Sequence, residues 1–217
     1  MSEIIDIGML EKYAYADLAA GKDAKNKKHT ARQSIVVGAR DWLDRWFWVY
    51  IWAGRETASD FKKKILDVQE EWNPRRFGLE ANGMQVLFGS LVREEARLRF
   101  GNVKMFPVYQ PTNVDKNYRI RTGLEPLILQ GRFFLPEGEI EATIELQSFP
   151  TGKTKDIIDA METCVSRVAP KRIKKAEEDV EKEQYAEFLR KSGVLGSGIE
   201  GEMERRFGRV VYGGMRR

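Results

Sequence analysis

The chain has 217 residues, 42% of them apolar, with a net charge of +4 and a pI near 9.1. At this length one domain with an appendage is expected, with a core large enough to stand without a disulfide or a structural metal. A single histidine, His29, excludes zinc hydrolases built on several histidines, a single cysteine, Cys164, excludes an internal disulfide, and the longest apolar run, Trp46 to Ala53, is too short to cross a bilayer.

Met1 to Leu10 lacks the basic start and long apolar core of a secretory leader, so a soluble protein is expected. Lys12 to Leu18 (KYAYADL) reads as a strand ending in an aspartate, and the polar, basic Ala20 to Thr30 as a loop. Gln33 to Ala39 (QSIVVGA) is a strand, Trp42 to Asp44 a hairpin turn, and the aromatic, β-branched Arg45 to Trp52 a third strand. Phe61, Ile65, Val68 and Trp72 recur at helical spacing, which predicts a helix over Glu56 to Trp72, barred from continuing by Pro74. Arg76 to Glu80 (RFGLE) is a short strand ending on a glutamate. Met84 to Arg97 is a helix, Val103 to Val108 a strand, Asp115 to Leu129 a helix stopped at Gly131, and Arg132 to Leu135 a strand. Ile140 to Phe149 and Lys155 to Val168 are the last core helices, the second holding Cys164 as a buried small residue.

The composition changes near Pro170. Lys171-Arg172-Ile173-Lys174-Lys175 opens a mixed-charge stretch in which Glu177 to Leu189 can form a helix, and Gly193 to Arg217 is glycine-rich and basic. The expected division is a core domain at 1–170 and a basic, partly helical extension at 171–217. Within the core domain, three successive strands joined by short turns suggest an antiparallel meander, and the strand–helix–strand alternation after them suggests parallel crossovers. The fold class is therefore α/β, with a mixed central sheet flanked by helices.

Asp17 and Glu80 end predicted strands and precede small-residue turns, Ala19-Ala20-Gly21 and Ala81-Asn82-Gly83. Carboxylates so placed project into clefts rather than the core, and strands one and four of such a sheet can be neighbours. Asp156 and Asp159 open the last core helix three residues apart, on one face. Hard oxygen donors suit Mg²⁺ or Mn²⁺, and two such ions roughly 4 Å apart can activate a water and stabilise the leaving oxygen of a phosphodiester. An aspartate at a helix start also serves as a plain cap, so spacing alone leaves both readings open.

The segments KYAYADLAAG, QSIVVGARD, FGLEANGMQ, VDKNYRIRTGLEPLILQGRFFLP and ELQSFPTGKTKDIIDAM, in that order, resemble the nuclease domain of the large terminase subunit of tailed bacteriophages, from about Tyr13 to Ala169. The resemblance implies an RNase H-like fold. It also implies a metal-dependent endonuclease that cuts concatemeric double-stranded viral DNA during genome packaging, in the cytoplasm of an infected bacterial host. Asp17 matches the family's first catalytic aspartate; Glu80 matches its second acid, with Asn82, Gly83 and Gln85 completing that motif; Asp115, Lys116, Arg119 and Ile120 match a further segment. The family's final His-Asp-Asp-x-x-Asp-Ala reads here Thr154-Lys155-Asp156-Ile157-Ile158-Asp159-Ala160, which keeps Asp156 and Asp159 and loses the first His-Asp. An acidic residue usual before the second strand is replaced by Thr30-Ala31-Arg32-Gln33. Asp17, Glu80 and Asp156 are thus the implied catalytic residues, and with Asp159 the ligands of two Mg²⁺ or Mn²⁺ ions. An ATPase motor domain, a small terminase subunit and a portal protein are the implied partners besides DNA. The chain has no room for the motor itself. Another RNase H-like nuclease, such as a Holliday-junction resolvase, and a DNA-binding module that has lost catalysis are the rival readings.

Lys116, Arg119 and Arg121 stand at a predicted helix start, and Lys153 and Lys155 flank Asp156. Contact with DNA phosphates is one role for them; a solvated helix face or a pairing with the carboxylate is the other. The same choice holds for Lys22, Lys25, Lys27, Lys28 and His29. Gly152-Lys153-Thr154 is not a phosphate-binding loop, because Gln147 stands where the earlier glycine is required. Trp42, Trp46, Phe47, Trp48, Tyr50 and Trp52 invite base stacking, but alternation along a strand favours sheet-face packing for them.

Overall fold

A computed structural model describes residues 6–18, 32–82, 85–111 and 113–171. The predicted loop at Ala20 to Thr30, the Glu177 to Leu189 helix and the tail at Gly193 to Arg217 lie outside these residues. Six strands form one mixed sheet: β1 (Glu11–Asp17), β2 (Gln33–Arg40), β3 (Trp46–Gly54), β4 (Arg76–Glu80), β5 (Met105–Val108) and β6 (Phe133–Phe134), in the order β5-β4-β1-β2-β3-β6. The expected meander is present, with β1–β2 and β2–β3 antiparallel. β4 lies parallel to β1, β5 parallel to β4, and the two-residue β6 parallel to β3. Strands one and four are therefore neighbours, as the strand order predicts.

The turn between β2 and β3 is built on Asp41. Its buried carboxylate accepts from the N–H groups of Leu43 (2.9 Å) and Arg45 (2.8 Å), an Asx-type closure that a lone sequence aspartate only hints at.

Helices cover both faces of the sheet. α1 (Ala58–Trp72) and α2 (Gln85–Phe100) pack on one side; α3 (Lys116–Leu129), α4 (Glu141–Ser148) and α5 (Asp156–Thr163) pack on the other, with a π-helical turn over Cys164–Val168 continuing α5. α1 starts on a Thr57 cap, whose hydroxyl accepts the Asp60 N–H, and ends at Asn73 in a left-handed conformation before Pro74. α2 runs three residues past the predicted end, because its stop is Gly101 at φ 74 rather than the basic turn at Arg97. α3 ends where expected: Gly131 has φ 62, and the Arg132 N–H returns to the Leu127 carbonyl at 2.8 Å.

Strand periodicity divides the core. Ala14, Ala16, Ile35, Val37, Phe77 and Leu79 pack with Phe61, Ile65 and Leu66 of α1 and Val92 of α2. Tyr13, Tyr15, Val36, Trp46 and Trp48 pack with Ile120 and Leu124 of α3 and with Ile157, Ile158 and Met161 of α5. Trp46 and Trp48 are buried and stacked on each other at 5.7 Å, so these two rings serve packing, as their alternation predicts, whereas Trp42 falls in the β2–β3 turn, 67% exposed, and does not pack on the sheet as expected. Cys164 is fully buried, its thiol pushed up by burial. Among the described residues no helix is long and apolar enough to cross a membrane.

Candidate active site

The layer assignments determine where the acids point. Tyr13 and Tyr15 face the α3–α5 layer, so Asp17, two residues on, falls on that side at the C-terminal end of β1. Phe77 and Leu79 face the opposite layer, so Glu80 falls on the side of Asp17 at the C-terminal end of β4. The parallel register sets Ala16 beside Leu79, and one step further sets Asp17 beside Glu80. A direct contact confirms this neighbourhood: the Leu18 N–H donates to Glu80 Oε2 at 3.3 Å.

α5 brings its first turn over the same sheet end. The hydroxyl of Ser34, the β2 partner of Asp17, donates to the Asp156 carbonyl at 3.1 Å. Asp156, Asp159 and Glu162 follow at spacings of three along one helix face. The matching positive charge comes from α3. Lys116 Nζ lies 3.0 Å from Asp159 Oδ2 and 4.0 Å from Asp156 Oδ1. Arg119 holds Asp159 Oδ1 and Glu162 Oε2 with separate nitrogens, each at 2.5 Å. Burial alone would lower the lysine's pKa, but Asp159 first, then Asp17 and Asp156, carry it above its ordinary value. Glu162 is shifted upward, chiefly by burial, despite Arg119.

A neutral polar floor lies beneath these charges. Gln110 Nε2 donates to the hydroxyls of Tyr15 (3.2 Å) and Thr163 (2.7 Å), and its backbone N–H donates to Asn82 Oδ1 at 3.3 Å. Asn82 in turn donates to Glu80 Oε1 at 3.3 Å. The Tyr15 phenol is held well above its usual range, by burial first and then by the charges of Asp17, Glu80 and Asp159. Three carboxylates thus bear on one buried ring.

The structure gathers Asp17, Glu80, Asp156, Asp159, Lys116 and Arg119 around one sheet end. It does not bring Arg121 there: its guanidinium lies 6.0 Å from the Phe149 ring, because residues two apart on a helix face apart. Lys155 donates to Asn117 Oδ1 at 2.8 Å rather than pairing with Asp156, and Lys153 is exposed. Sequence reasoning missed Glu162, although the spacing of three continues to it. It also missed the floor of Tyr15, Gln110 and Thr163, which carries no local signal. Arg32 was noticed only as a departure from the family pattern; its Nε lies 3.5 Å from Asp156 Oδ2.

The donor set fits a hard divalent cation in kind: carboxylate oxygens gathered at one sheet end. Among the described residues, no three acidic, histidine or cysteine side chains stand together in ligand geometry. Asp156 and Asp159 are instead engaged by Arg32, Lys116 and Arg119.

No protein-family model matches the chain, and no curated protein matches it. Solved structures do. The nuclease domain of the P22 large terminase matches with a TM-score of 0.50 at 15% sequence identity, over 76% of this chain and 84% of that one. The nuclease domain of the large terminase subunit of bacterial virus Sf6, with manganese and beta-thujaplicinol, matches with a TM-score of 0.44 at 10% identity, over 74% and 89%. Thermus thermophilus RuvC in complex with a Holliday junction substrate matches with a TM-score of 0.42 at 9% identity, over 72% and 91%. The likeness to the P22 domain shows the fold, which is the RNase H-like mixed sheet flanked by helices that the sequence predicts.

Proposed function

We propose that this protein is a divalent-metal-dependent endonuclease acting on double-stranded DNA, with Asp17, Glu80 and Asp156 as its catalytic carboxylates. The single observation that carries the reading is the Leu18 N–H bond to Glu80, which sets Asp17 and Glu80, each one residue past the paired Ala16 and Leu79, at adjacent parallel strand ends near the first turn of α5. In α/β sheets the crevice outside the carboxyl ends of the strands is where ligands bind. Asp17, Glu80 and Asp156 would hold the metal, two Mg²⁺ or Mn²⁺ ions by the terminase resemblance, with Asp159 assisting. When bound, such ions supply an activated water and stabilise charge on the phosphodiester.

The chain's own residues then have separate tasks. Lys116 presents positive charge beside the acids, where a DNA phosphate can be held in register, and Arg119, largely buried and bonded to Asp159 and Glu162, fixes that face of α5. Asp159 and Glu162 keep those two cations from collapsing onto Asp17 and Glu80. The Asn82 amide holds Glu80 from below, and the buried Tyr15–Gln110–Thr163 floor closes the cleft without adding charge. Lys153, Lys155 and Arg121 belong to a wider phosphate-binding rim in this reading. The ordered terminase-like segments and the fold of the P22 domain support a role in cutting concatemeric viral DNA during packaging, alongside an ATPase motor, a small terminase subunit and a portal.

The test is incubation of supercoiled plasmid with the protein and Mn²⁺ or Mg²⁺. Conversion to open-circular and linear forms is expected, and both Asp17→Asn and Glu80→Gln should abolish it. DNA binding without cleavage in any divalent metal would overturn the reading in favour of a binding module. Strong preference for a four-way junction over linear duplex would replace the packaging role with junction resolution.

A further inference from the structure

Helix α5 has no cap of its own. Lys155, at the N-cap position, makes no side-chain cap bond, so the first N–H groups of the helix need acceptors from elsewhere. Glu145 of α4 supplies one: its Oε2 accepts from the N–H groups of Ile157 at 2.9 Å and Ile158 at 3.2 Å. This carboxylate is almost wholly buried, with the residue 1% exposed, where an unpaired charge is costly. Its second oxygen, Oε1, accepts from Arg32 at 2.7 Å. The same guanidinium binds Glu141 at 2.7 Å through another nitrogen and turns its Nε to Asp156 Oδ2 at 3.5 Å.

One buried acid therefore grips both the backbone that carries Asp156 and the arginine that touches its side chain. A simple helix cap requires only the first of these contacts. The second also meets the charge of the buried carboxylate, and because the same guanidinium reaches Asp156 it ties that side chain to Glu145.

We propose that Glu145 is a positioning residue of the metal site: through the first turn of α5 and through Arg32 it fixes where Asp156 presents its carboxylate. The inference rests on the nuclease reading above. It adds a residue that touches neither DNA nor metal and that governs how tightly the metal is held. Loss of a group that orients a metal ligand weakens affinity by about 10–100-fold.

Two variants separate this role from plain capping. Glu145→Gln keeps a carbonyl oxygen for the Ile157 and Ile158 N–H groups but removes the charge that holds Arg32. Arg32→Met leaves the cap in place and removes the link to Asp156. Mn²⁺ affinity is measured by titration calorimetry, and protection of the Ile157 and Ile158 amides by hydrogen exchange. Both variants are expected to keep wild-type amide protection yet bind Mn²⁺ about tenfold more weakly. Glu145→Ala should lose amide protection as well. Wild-type Mn²⁺ affinity in Glu145→Gln and Arg32→Met overturns the positioning role and leaves Glu145 a cap. A wild-type protein that binds no Mn²⁺ overturns the nuclease reading, and the role with it.

Discussion

The backbone N–H of Leu18 reaches across from β1 to the carboxylate of Glu80 on β4, at 3.3 Å. That bond places Asp17 one residue from a contact with Glu80 and gives the two acids a common sheet end. Lys116 lies close enough for Asp17 to raise its pKa, so one fixed cation already bears on these acids, and a divalent ion would add to it. Asp17→Asn should lose cleavage. Saturating Mn²⁺ should stabilise the wild type, by about 2.7 kcal/mol at a hundred times its dissociation constant, and the variant much less. Thermal melts with and without Mn²⁺ check both halves. Equal stabilisation of both proteins would place the metal elsewhere.

Gly78 sits two residues before Glu80, on the same face of β4, and the sheet is closed tightly over it. A β-carbon there would lie 2.5 Å from Val168 Cγ2, 2.8 Å from Val108 Cγ2 and 3.1 Å from Tyr15 Cδ2. None of these neighbours is a flexible tip. Gly78→Ala should destabilise the protein by about 1–3 kcal/mol, through overpacking rather than backbone conformation. Urea unfolding measures it. A neutral effect would mean that the π-helical turn carrying Val168 moves aside without cost.

The fold was legible wherever periodicity had room to act. The 3.6-residue spacing of Phe61, Ile65 and Val68 marks one buried face, and the structure uses it. The strand-end positions of Asp17 and Glu80 follow from short apolar runs that stop at small-residue turns. What could not be read was pairing across the chain. Arg32 meets Asp156, Glu141 and Glu145 over separations of 109 to 124 residues, and no local pattern encodes such a partner. The different fates of Arg119 and Arg121 were within reach, since residues two apart on a helix cannot share a partner face. Their grouping by proximity in sequence concealed it.

Lys116 makes a prediction about alkaline pH. Its pKa is raised in the folded protein, so the folded state holds the proton more tightly than the unfolded chain does. The stabilisation is fully present below the ordinary lysine value. It disappears as pH rises from there through the folded value. The stability difference between wild type and Lys116→Met should thus be constant through neutral pH and shrink in the alkaline range. Unfolding midpoints of both proteins from pH 7 upward test this. A difference that stays constant across the alkaline range would detach Lys116 from the carboxylates.

Arg119 is the one guanidinium joined to both Asp159 and Glu162, and all three side chains are largely buried. Removing it takes a partner from two acids: Asp159 keeps Lys116, and Glu162 loses the one salt-bridge partner described for it. Breaking a buried pair in this way costs roughly 3–5 kcal/mol, so Arg119→Met should be strongly destabilised at neutral pH. Glu162 already has a raised pKa, and Arg119 is among the groups that lower it. Without the arginine the value rises further. A raised acid binds its proton more tightly when folded, so the folded state gains relative stability as pH falls through that value and loses it as pH rises. The deficit of Arg119→Met should therefore shrink in mild acid. Adding Glu162→Gln should recover part of it at pH 7.5 and remove most of its pH dependence. Denaturant unfolding of the wild type, both single variants and the double variant at two pH values closes the cycle. A deficit of equal size at both pH values, unrelieved by Glu162→Gln, would assign the loss to packing of the arginine's stem instead of to the stranded charge.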